Sequence, residues 1–333
     1  MAYTLIHKRG RMAWLMLAAA LCLLWGCAHQ PLPDESSHWV YQADGAGPAI
    51  VNKWAPAFVA YGHSDPFNRI GRPRVRLESD GDQEVYVDPQ EPVVYSMERS
   101  FSTERATYTN LIYRIHFPRV PFSLIPFNLT AGKNVGLLVV VTLDERKRPV
   151  LVTSVHTCGC YKAIVPTEYL PRDAFPLHWK AESQDIYGER LPPMLSFGGI
   201  PDPRILFYLR PAVHRVMDLK VLDAHDLAAD RFQTVSMKVE PMEALDRLPV
   251  DGATTSFYYD RGLLKGHVKG SVKPWETVLM SLISLDLFVG TDKAYADTAR
   301  TGNPFYTSLK PWRRQDSNMW DFARFLRYWG WRL

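Results

Sequence analysis

Hydrophobic and polar residues alternate with a period of two through much of the first 240 positions. Residues 113–117 read Tyr-Arg-Ile-His-Phe, which is the pattern of a strand with one buried face. Residues 217–221 and 235–239 alternate in the same way. Because such alternation is typical of sheets with one solvated face, these segments predict antiparallel strands.

A continuous apolar run replaces this alternation from residue 135. The segment "VGLLVVVTLDERKRPVLVTSV" holds an apolar run, a charged break of five residues and a second β-branched run. This order predicts a β-hairpin whose first strand is buried on both faces. Prolines punctuate the stretches between the predicted strands, as they do in ordered loops and at sheet edges.

The last sixty residues carry a different pattern. Residues 275–287 contain no helix breaker and follow Pro274, so they predict a helix. The segment 317–333, "SNMWDFARFLRYWGWRL", predicts a second helix with Ser317 or Asn318 as its N-cap. Its aromatic stripe has two interpretations, a helix lying on a membrane surface or a helix docked on the β-rich part. We favour docking, since Asp321 interrupts the basic face and aromatic stripes usually face a core.

Together these patterns predict a mainly β protein, an antiparallel β-sandwich or an open barrel with C-terminal helices, with an α+β fold as the alternative. We assign residues 51–333 to one β-rich globular domain whose helical part begins at about residue 274. Residues 27–50 are rich in Pro, Ser, Gly and Ala and predict a flexible tether.

The N-terminus has the composition of an export signal. Basic residues between His7 and Arg11 precede an uncharged apolar run from Met12 to Leu24, which is too short to span a bilayer. The run ends in Leu24-Trp25-Gly26-Cys27, which resembles the lipobox of bacterial lipoproteins. The resemblance is confined to this segment.

That resemblance implies that residues 1–26 form a signal peptide and that Cys27 becomes the lipidated first residue of the mature chain. Ala28 follows the cysteine where inner-membrane members of the family often have Asp, which implies a lipid-anchored protein of the bacterial outer membrane, facing the periplasm or the surface. Several acyl chains make such an anchor stable, since each buried methylene adds about 0.8 kcal/mol.

The charge of the chain changes once the signal peptide is set aside. The full chain has a formal charge of +4, and residues 1–26 carry three basic residues and no acid, so the remainder is near +1. Nothing in this balance favours a nucleic-acid partner. The most apolar later stretch, residues 278–289, contains Asp286 and is too short for a membrane span.

The CxC motif of Cys158 and Cys160 is the clearest candidate for chemistry in the body of the chain. On a straight strand the two Cα atoms would lie about 6.6 Å apart, close to the upper limit of about 6.8 Å for a disulfide. Gly159 is the residue that could tighten the chain there. An exported protein meets an oxidising compartment, so a structural or redox-active disulfide is one interpretation; buried, unreactive thiols are another.

Metal binding is the third interpretation of this segment. His156, Cys158 and Cys160 alternate on one face of a strand, but about 13 Å would separate the outer Cα atoms if the strand were straight. A bend at Gly159 would therefore be needed to bring the three to one ion. Zinc and copper are the ions that suit these ligands, and His116 could join them if its strand pairs with that of His156.

The sequence contains no motif for a serine hydrolase elbow, a zinc-protease helix, a phosphate-binding loop or haem attachment. The preferred hypothesis is therefore a lipid-anchored binding or assembly module of the cell envelope, with a protein or glycan partner. The alternative is a periplasmic thiol-redox or metal-dependent enzyme that uses His156, Cys158 and Cys160. A structural protein held to the membrane by its C-terminal helix is a third hypothesis.

Overall fold

The computed structural model describes Pro33 and residues 38–124, 127–228 and 233–333. Of these described residues, 41% lie in strands and 16% in helices, which confirms a mainly β protein with helices near its C-terminus. The predicted signal peptide and Cys27 lie outside the described residues.

Ten strands form one large, nearly closed sheet. In spatial order they are β13 (Val216–Asp223), β12 (Pro203–Leu209), β2 (Ala57–Tyr61), β1 (His38–Ala43), β14 (Gln233–Pro241), β5 (Val93–Ser102), β6 (Thr107–Val120), β7 (Gly132–Leu143), β8 (Pro149–His156) and β9 (Ala163–Pro166).

The sheet is mixed, whereas the sequence predicted an antiparallel one. β12 runs parallel to β2, and β14 runs parallel to both β1 and β5, while the other neighbours are antiparallel. The parallel pairs join strands that are far apart along the chain. The alternation of residues 235–239 therefore predicted the strand but not its direction, because direction depends on long-range connections.

Smaller elements complete the described chain. The two-stranded sheets pair β3 (Arg72–Leu77) with β4 (Gln83–Asp88), β10 (Gln184–Ile186) with β11 (Glu189–Leu191), and β15 (Leu248–Val250) with β16 (Ala253–Thr255). The α-helices of the described residues are α1 (Ala49–Lys53), α2 (Ala224–Ala228), α3 (Pro274–Ser284), α4 (Thr298–Thr301) and α5 (Phe322–Tyr328); short 3-10 helices make up the rest of the helical content.

The predicted tether over residues 27–50 is wrong from residue 38 onward. Residues 38–43 form β1, which pairs with β2 and β14 inside the sheet, and Val40 and Tyr41 are buried. The short segment "HWVYQA" is rich in residues that favour strands, but the Pro, Ser and Gly around it hid this signal.

The two-sided burial predicted for residues 135–141 is confirmed. Leu137, Val139 and Val141 enter one hydrophobic core, while Leu138 and Val140 enter a second core on the opposite face of the sheet. β7 and β8 pair as the predicted antiparallel hairpin.

β6 differs from the half-buried strand that its alternation predicted. Its polar residues Arg114 and His116 are fully buried, because the C-terminal third of the chain covers that face. Arg114 Nη1 donates to the carbonyl of Lys293 at 2.8 Å, and the ring of His116 packs edge-on against Phe257. Period-two alternation therefore identified the strand but not what covers its second face.

Both predicted C-terminal helices form, with different bounds. α3 ends at Ser284, and Leu285 then adopts a left-handed conformation with φ +50°. α5 is shorter than the predicted segment and begins after Asp321, whose side chain accepts a hydrogen bond from the N–H of Arg324 at 3.2 Å. Asp321 therefore caps the helix in place of the predicted Ser317 or Asn318.

Candidate functional site

Residues 156–160 form a tight reversal at the end of β8, here named the CGC turn. The N–H of His156 donates to the carbonyl of Cys160 at 3.0 Å, and Gly159 has φ +95°. A Cβ at Gly159 would collide with the carbonyl oxygen of Tyr306, so the position requires glycine. The sulfur atoms of Cys158 and Cys160 lie at disulfide distance, with Cα atoms 5.6 Å apart. The bend expected at Gly159 is therefore present.

The same bend gathers the three predicted metal ligands. The donor atoms of His156, Cys158 and Cys160 lie within 4.8 Å of one another. Burial, reinforced by the charges of Lys273 and Arg215, lowers the pKa of His156 to about 3, so the imidazole is neutral at pH 7, as a ligand must be. A disulfide offers no thiolate, however, so zinc or copper binding would require the two cysteines to be reduced first. Metal binding stays a prediction.

His116 does not join this group. β7 lies between β6 and β8, with His116 opposite Gly136 and His156 opposite Leu137. Since side chains alternate along β7, the two histidines point to opposite faces of the sheet. The suggestion that His116 could complete a metal site is therefore wrong, and its ring instead accepts a hydrogen bond from Arg114 Nε at 3.0 Å.

A cavity of about 540 Å³ opens beside the CGC turn. Its floor includes Cys158, Cys160 and Tyr161, and α3 supplies one wall. Most of the lining is apolar or aromatic; it includes Leu129, Tyr187, Val213, Leu279, Met280, Ile283, Val289 and Tyr306. We name this cavity the α3 pocket. Its size and apolar lining are typical of a site for a small organic molecule.

One cation reaches the α3 pocket from a buried ion cluster. Glu189 accepts hydrogen bonds from Arg210 Nε at 2.7 Å and from Arg215 Nε at 2.6 Å, and all three side chains are buried. Burial opposes ionisation of Glu189, but the two guanidinium groups lower its pKa on balance. Two cations around one carboxylate leave a net positive charge, and Arg215 lines the pocket. Its Nη2 is buried without a hydrogen-bond partner among the described residues.

A carboxyl group lies in the wall that α3 supplies. Glu276 is more than nine-tenths buried, lines the α3 pocket, and has an Oε2 atom without a partner in the described part of the chain. Burial raises the pKa of Glu276, although the charges of Lys273 and Lys293 oppose this shift. A raised pKa favours the neutral acid, which can donate a hydrogen bond to a ligand.

Behind the CGC turn lies a layer of buried charges. Lys273 and Asp292 form an ion pair at 2.9 Å with both side chains inaccessible, and the hydroxyl of Thr157 donates to Asp292. Lys293 Nζ donates to the carbonyl of Cys158 at 2.9 Å, and burial lowers the pKa of Lys293 to about 8. These contacts fix the turn against the loops on either side of α3.

The polar residues around the CGC turn carry no sequence signal comparable to the CxC motif. Lys273 and Glu276 both belong to the start of α3, but Arg215 and Asp292 come from other parts of the chain, and no regular spacing connects them to that helix. The nearest available signal was Glu276, an acidic residue inside an otherwise apolar helical segment. A charged side chain in such a helix must either lie in solvent or be buried with compensating partners.

Comparison of the chain with protein-family models, with curated protein sequences and with solved structures finds no match. Among the described residues, no helix is both long and apolar enough to cross a membrane.

Proposed function

We propose that this protein is a lipid-anchored binding module of the bacterial cell envelope, and that its α3 pocket binds a small amphipathic anion. One observation carries the proposal: the apolar pocket contains two buried polar groups, Arg215 Nη2 and Glu276 Oε2, without hydrogen-bond partners in the described chain. Buried polar groups normally have partners, so a small movement of these two lining side chains toward the polar head of a ligand would satisfy both.

The charge of the pocket favours an anionic head. Glu189 neutralises only one of its two arginines, and the raised pKa of Glu276 reduces the negative charge beside them. A carboxylate or phosphate could accept a hydrogen bond from Arg215 Nη2, and burial shifts the pKa of Glu276 in the direction that favours its neutral, hydrogen-bond-donating form. The apolar body of the ligand would lie against the side chains of α3 and the surrounding loops.

The anchoring part of the proposal depends on Cys27. β1 begins at His38, so eleven residues link the predicted lipid to the sheet. Even fully extended, such a segment reaches only about 40 Å. A lipidated Cys27 would therefore keep the domain close to the membrane surface, where amphipathic molecules are concentrated.

Calorimetric titration with dodecanoate and with dodecanol tests the ligand class. Dodecanoate should bind at least roughly tenfold more tightly, because a hydrogen bond to a charged group is worth about 1.5 to 3 kcal/mol. Arg215→Gln should remove this preference, while Arg190→Gln, which changes an exposed arginine of β11, should keep it.

A second variant tests the location of binding. Met280→Trp adds bulk to the wall of the α3 pocket and should weaken binding of both probes, whereas Leu177→Trp adds the same ring at an exposed position. Equal affinity of the two probes for the unmodified protein, or unchanged binding in Met280→Trp, would reject the proposed ligand site.

Lipidation is tested separately in bacterial cells. Labelled palmitate should appear in the full chain and be absent from the Cys27→Ala variant, and the label should fractionate with the outer membrane. A chain that takes up no label is not anchored in this way, whatever its pocket binds.

A second candidate function, thiol–disulfide exchange, is favoured by the position of Cys160. This residue is only half-buried and lines the α3 pocket. A thiolate of a partner dithiol would attack one sulfur and release the other as a thiolate, which takes up a proton. The partner's second thiol would then break the mixed disulfide, so that two electrons pass to Cys158 and Cys160.

Exchange is measured by incubation with reduced dithiothreitol followed by thiol alkylation and mass analysis. Rapid reduction in the folded state would support this activity. In Cys158→Ser the lone Cys160 thiolate should attack glutathione disulfide, release glutathione as the leaving thiolate and remain as a mixed disulfide. If both sulfurs resist reduction until the protein unfolds, the disulfide serves only to hold the turn.

A further inference from the structure

Helix α3 is amphipathic, and its apolar side faces solvent. The residues that it buries are Glu276 and Ser284, and the Thr277 hydroxyl donates to the carbonyl of Val289 at 3.0 Å. The exposed residues are apolar: Val278 is 68% exposed and Leu282 is 84% exposed. Surface helices of globular proteins normally show the opposite orientation.

Neighbouring segments extend this apolar surface at both ends of the helix. Phe122 stacks on Trp275, with ring centroids 5.7 Å apart, near the start of α3. Leu285 and Leu287 are more than 70% exposed after its end. Trp312 is 75% exposed. We name this surface the α3 face; it comprises Phe122, Leu124, Trp275, Val278, Leu282, Ile283, Leu285, Leu287 and Trp312.

The charges beside the α3 face are basic. Residues 309–314 contain three basic residues and no acid, and Arg314 Nη2 donates to the carbonyls of Ser284 and Leu285, which holds this segment at the end of α3. Lys310 is exposed, and Arg313 is exposed while paired with Asp316.

The acids near the α3 face are buried or paired. Glu276 is buried, Asp286 lies 3.8 Å from Arg314 and accepts a hydrogen bond from the Tyr306 hydroxyl, and Asp316 is shared by Arg313 and Arg324. With Lys310 unpaired among the described residues, the local balance is positive.

We propose that the α3 face docks on the surface of an anionic phospholipid bilayer. The exposed Leu, Val and Ile side chains would enter the boundary between headgroups and acyl chains, Trp275 and Trp312 would lie at the headgroup level, and Lys310 and Arg313 would meet lipid phosphates. A contiguous apolar surface of this kind requires a cover, and its basic border matches a negatively charged membrane. The short link from Cys27 to β1 would hold the face within reach of the bilayer.

This docking goes beyond the proposed binding function, because the outward side chains that carry it differ from the polar groups that would hold the ligand. Ile283 belongs to both the α3 face and the α3 pocket, so the vesicle test leaves it unchanged and substitutes only residues that do not line the pocket. Failure of that test is therefore distinguishable from failure of the proposed ligand site and from absence of lipidation. A chain beginning at residue 28 lacks Cys27 and keeps every residue that the structure describes.

Co-sedimentation with vesicles of phosphatidylethanolamine and phosphatidylglycerol is the test. The triple variant L282E/L285E/L287E should lower the partition coefficient roughly tenfold or more, because it replaces inserted apolar side chains with acids. The control variant L177E/L263E changes leucines that are equally exposed elsewhere, at 82% and 79%, and should bind within about twofold of the unmodified chain.

A second arm tests the charge. K310E/R313E should weaken binding to the anionic vesicles by roughly tenfold, and pure phosphatidylcholine vesicles should show little change, since each basic residue near an anionic surface contributes about 1 kcal/mol. Far-ultraviolet circular dichroism checks that the variants stay folded.

Failure to bind anionic vesicles, or equal binding by the triple variant and its control, would overturn the inference. A concentration-dependent dimer that L282E/L285E/L287E abolishes, with no vesicle binding, would overturn it in favour of a second copy of this chain on the α3 face. Light scattering across a range of protein concentrations distinguishes these results.

Discussion

Helices α3 and α5 lie less than forty residues apart in the chain, and they use their apolar residues in opposite ways. α5 buries Phe322, Phe325 and Leu326 against the sheet and presents Arg324 and Arg327 to solvent. α3 buries its polar residues and exposes its apolar ones. The comparison shows that an amphipathic pattern defines the two faces of a helix, while its neighbours decide which face is inside.

The supports beneath the two helices explain the difference. α5 packs on an apolar layer in which Phe101 meets Phe322 edge-on at 5.4 Å, so its aromatic stripe faces inward. The docked interpretation of the C-terminal helix thereby agrees with the structure. α3 instead begins beside the buried ion pair of Lys273 and Asp292. The side of α3 that faces the protein interior therefore meets polar groups and carries polar residues. The membrane-facing role that we considered for residues 317–333 fits α3 better.

Removing the apolar support of α5 should have the largest effect on stability. Phe325 is fully buried, and Phe325→Ala should lower the free energy of unfolding by about 3 to 5 kcal/mol, through lost burial and a cavity. Urea unfolding measures the change. Phe325→Leu, which keeps most of the volume, should cost much less. Similar small losses for both variants would mean that α5 contributes little to the core.

Breaking the ion pair of Lys273 and Asp292 at the start of α3 should cause the second-largest loss of stability. Asp292→Asn leaves the ammonium group of Lys273 buried without its counter-charge, and we expect a loss of about 3 kcal/mol in the free energy of unfolding. The matched control is Asp185→Asn, which removes a solvent-exposed partner of Arg190 and should change stability by less than about 0.5 kcal/mol. Equal losses in the two variants would contradict a buried ion pair at the start of α3.

The two helices should also differ in how the stability of their surroundings depends on pH. Residues 317–333, which include α5, contain no histidine. His156, in contrast, is buried near Lys273 at the start of α3. Its folded pKa of about 3 lies below the ordinary value near 6.5, so the neutral ring stabilises the fold at pH 7. This contribution is lost as pH falls from about 6.5 towards 3, because only the unfolded chain takes up the proton.

His156→Gln should therefore reduce the slope of unfolding free energy against pH by about 1.4 kcal/mol per pH unit between about pH 6 and 4. Urea titrations at several pH values measure that slope. His178→Gln, at an exposed site, should leave it as in the unmodified chain. An unchanged slope in His156→Gln would show that this ring binds protons equally in the folded and unfolded chain, which would contradict the lowered pKa.

Much of the fold could be predicted from local pattern. Period-two alternation located β6, β13 and β14, and the apolar run of residues 135–141 correctly indicated a strand buried on both faces. Strand direction was beyond such reasoning, since the parallel neighbours of β14 lie more than a hundred residues away in the chain. β1 was missed because its three strong strand formers, Trp39, Val40 and Tyr41, lie within a Pro- and Gly-rich segment.

Less of the candidate site could be predicted. The spacing around Gly159 correctly predicted a bend at the CGC turn. On a straight strand the Cα atoms of Cys158 and Cys160 lie near the upper limit for a disulfide, and those of His156 and Cys160 lie too far apart to bind one ion. Arg215 and Glu276 reach the α3 pocket from distant elements, and only the folded chain brings them together. His116 was misplaced for the same reason, since pairing order rather than spacing decides which face of the sheet it occupies.

The smallest expected effect concerns the exposed side of α3. Leu282→Ala removes a large apolar side chain that is 84% exposed, so the free energy of unfolding in urea should change by no more than about 0.5 kcal/mol. Alanine also has a slightly better helix propensity than leucine, which offsets the little packing that is lost. A loss of more than about 2 kcal/mol would mean that Leu282 is buried in the isolated protein, and that α3 and α5 both direct their apolar sides inward.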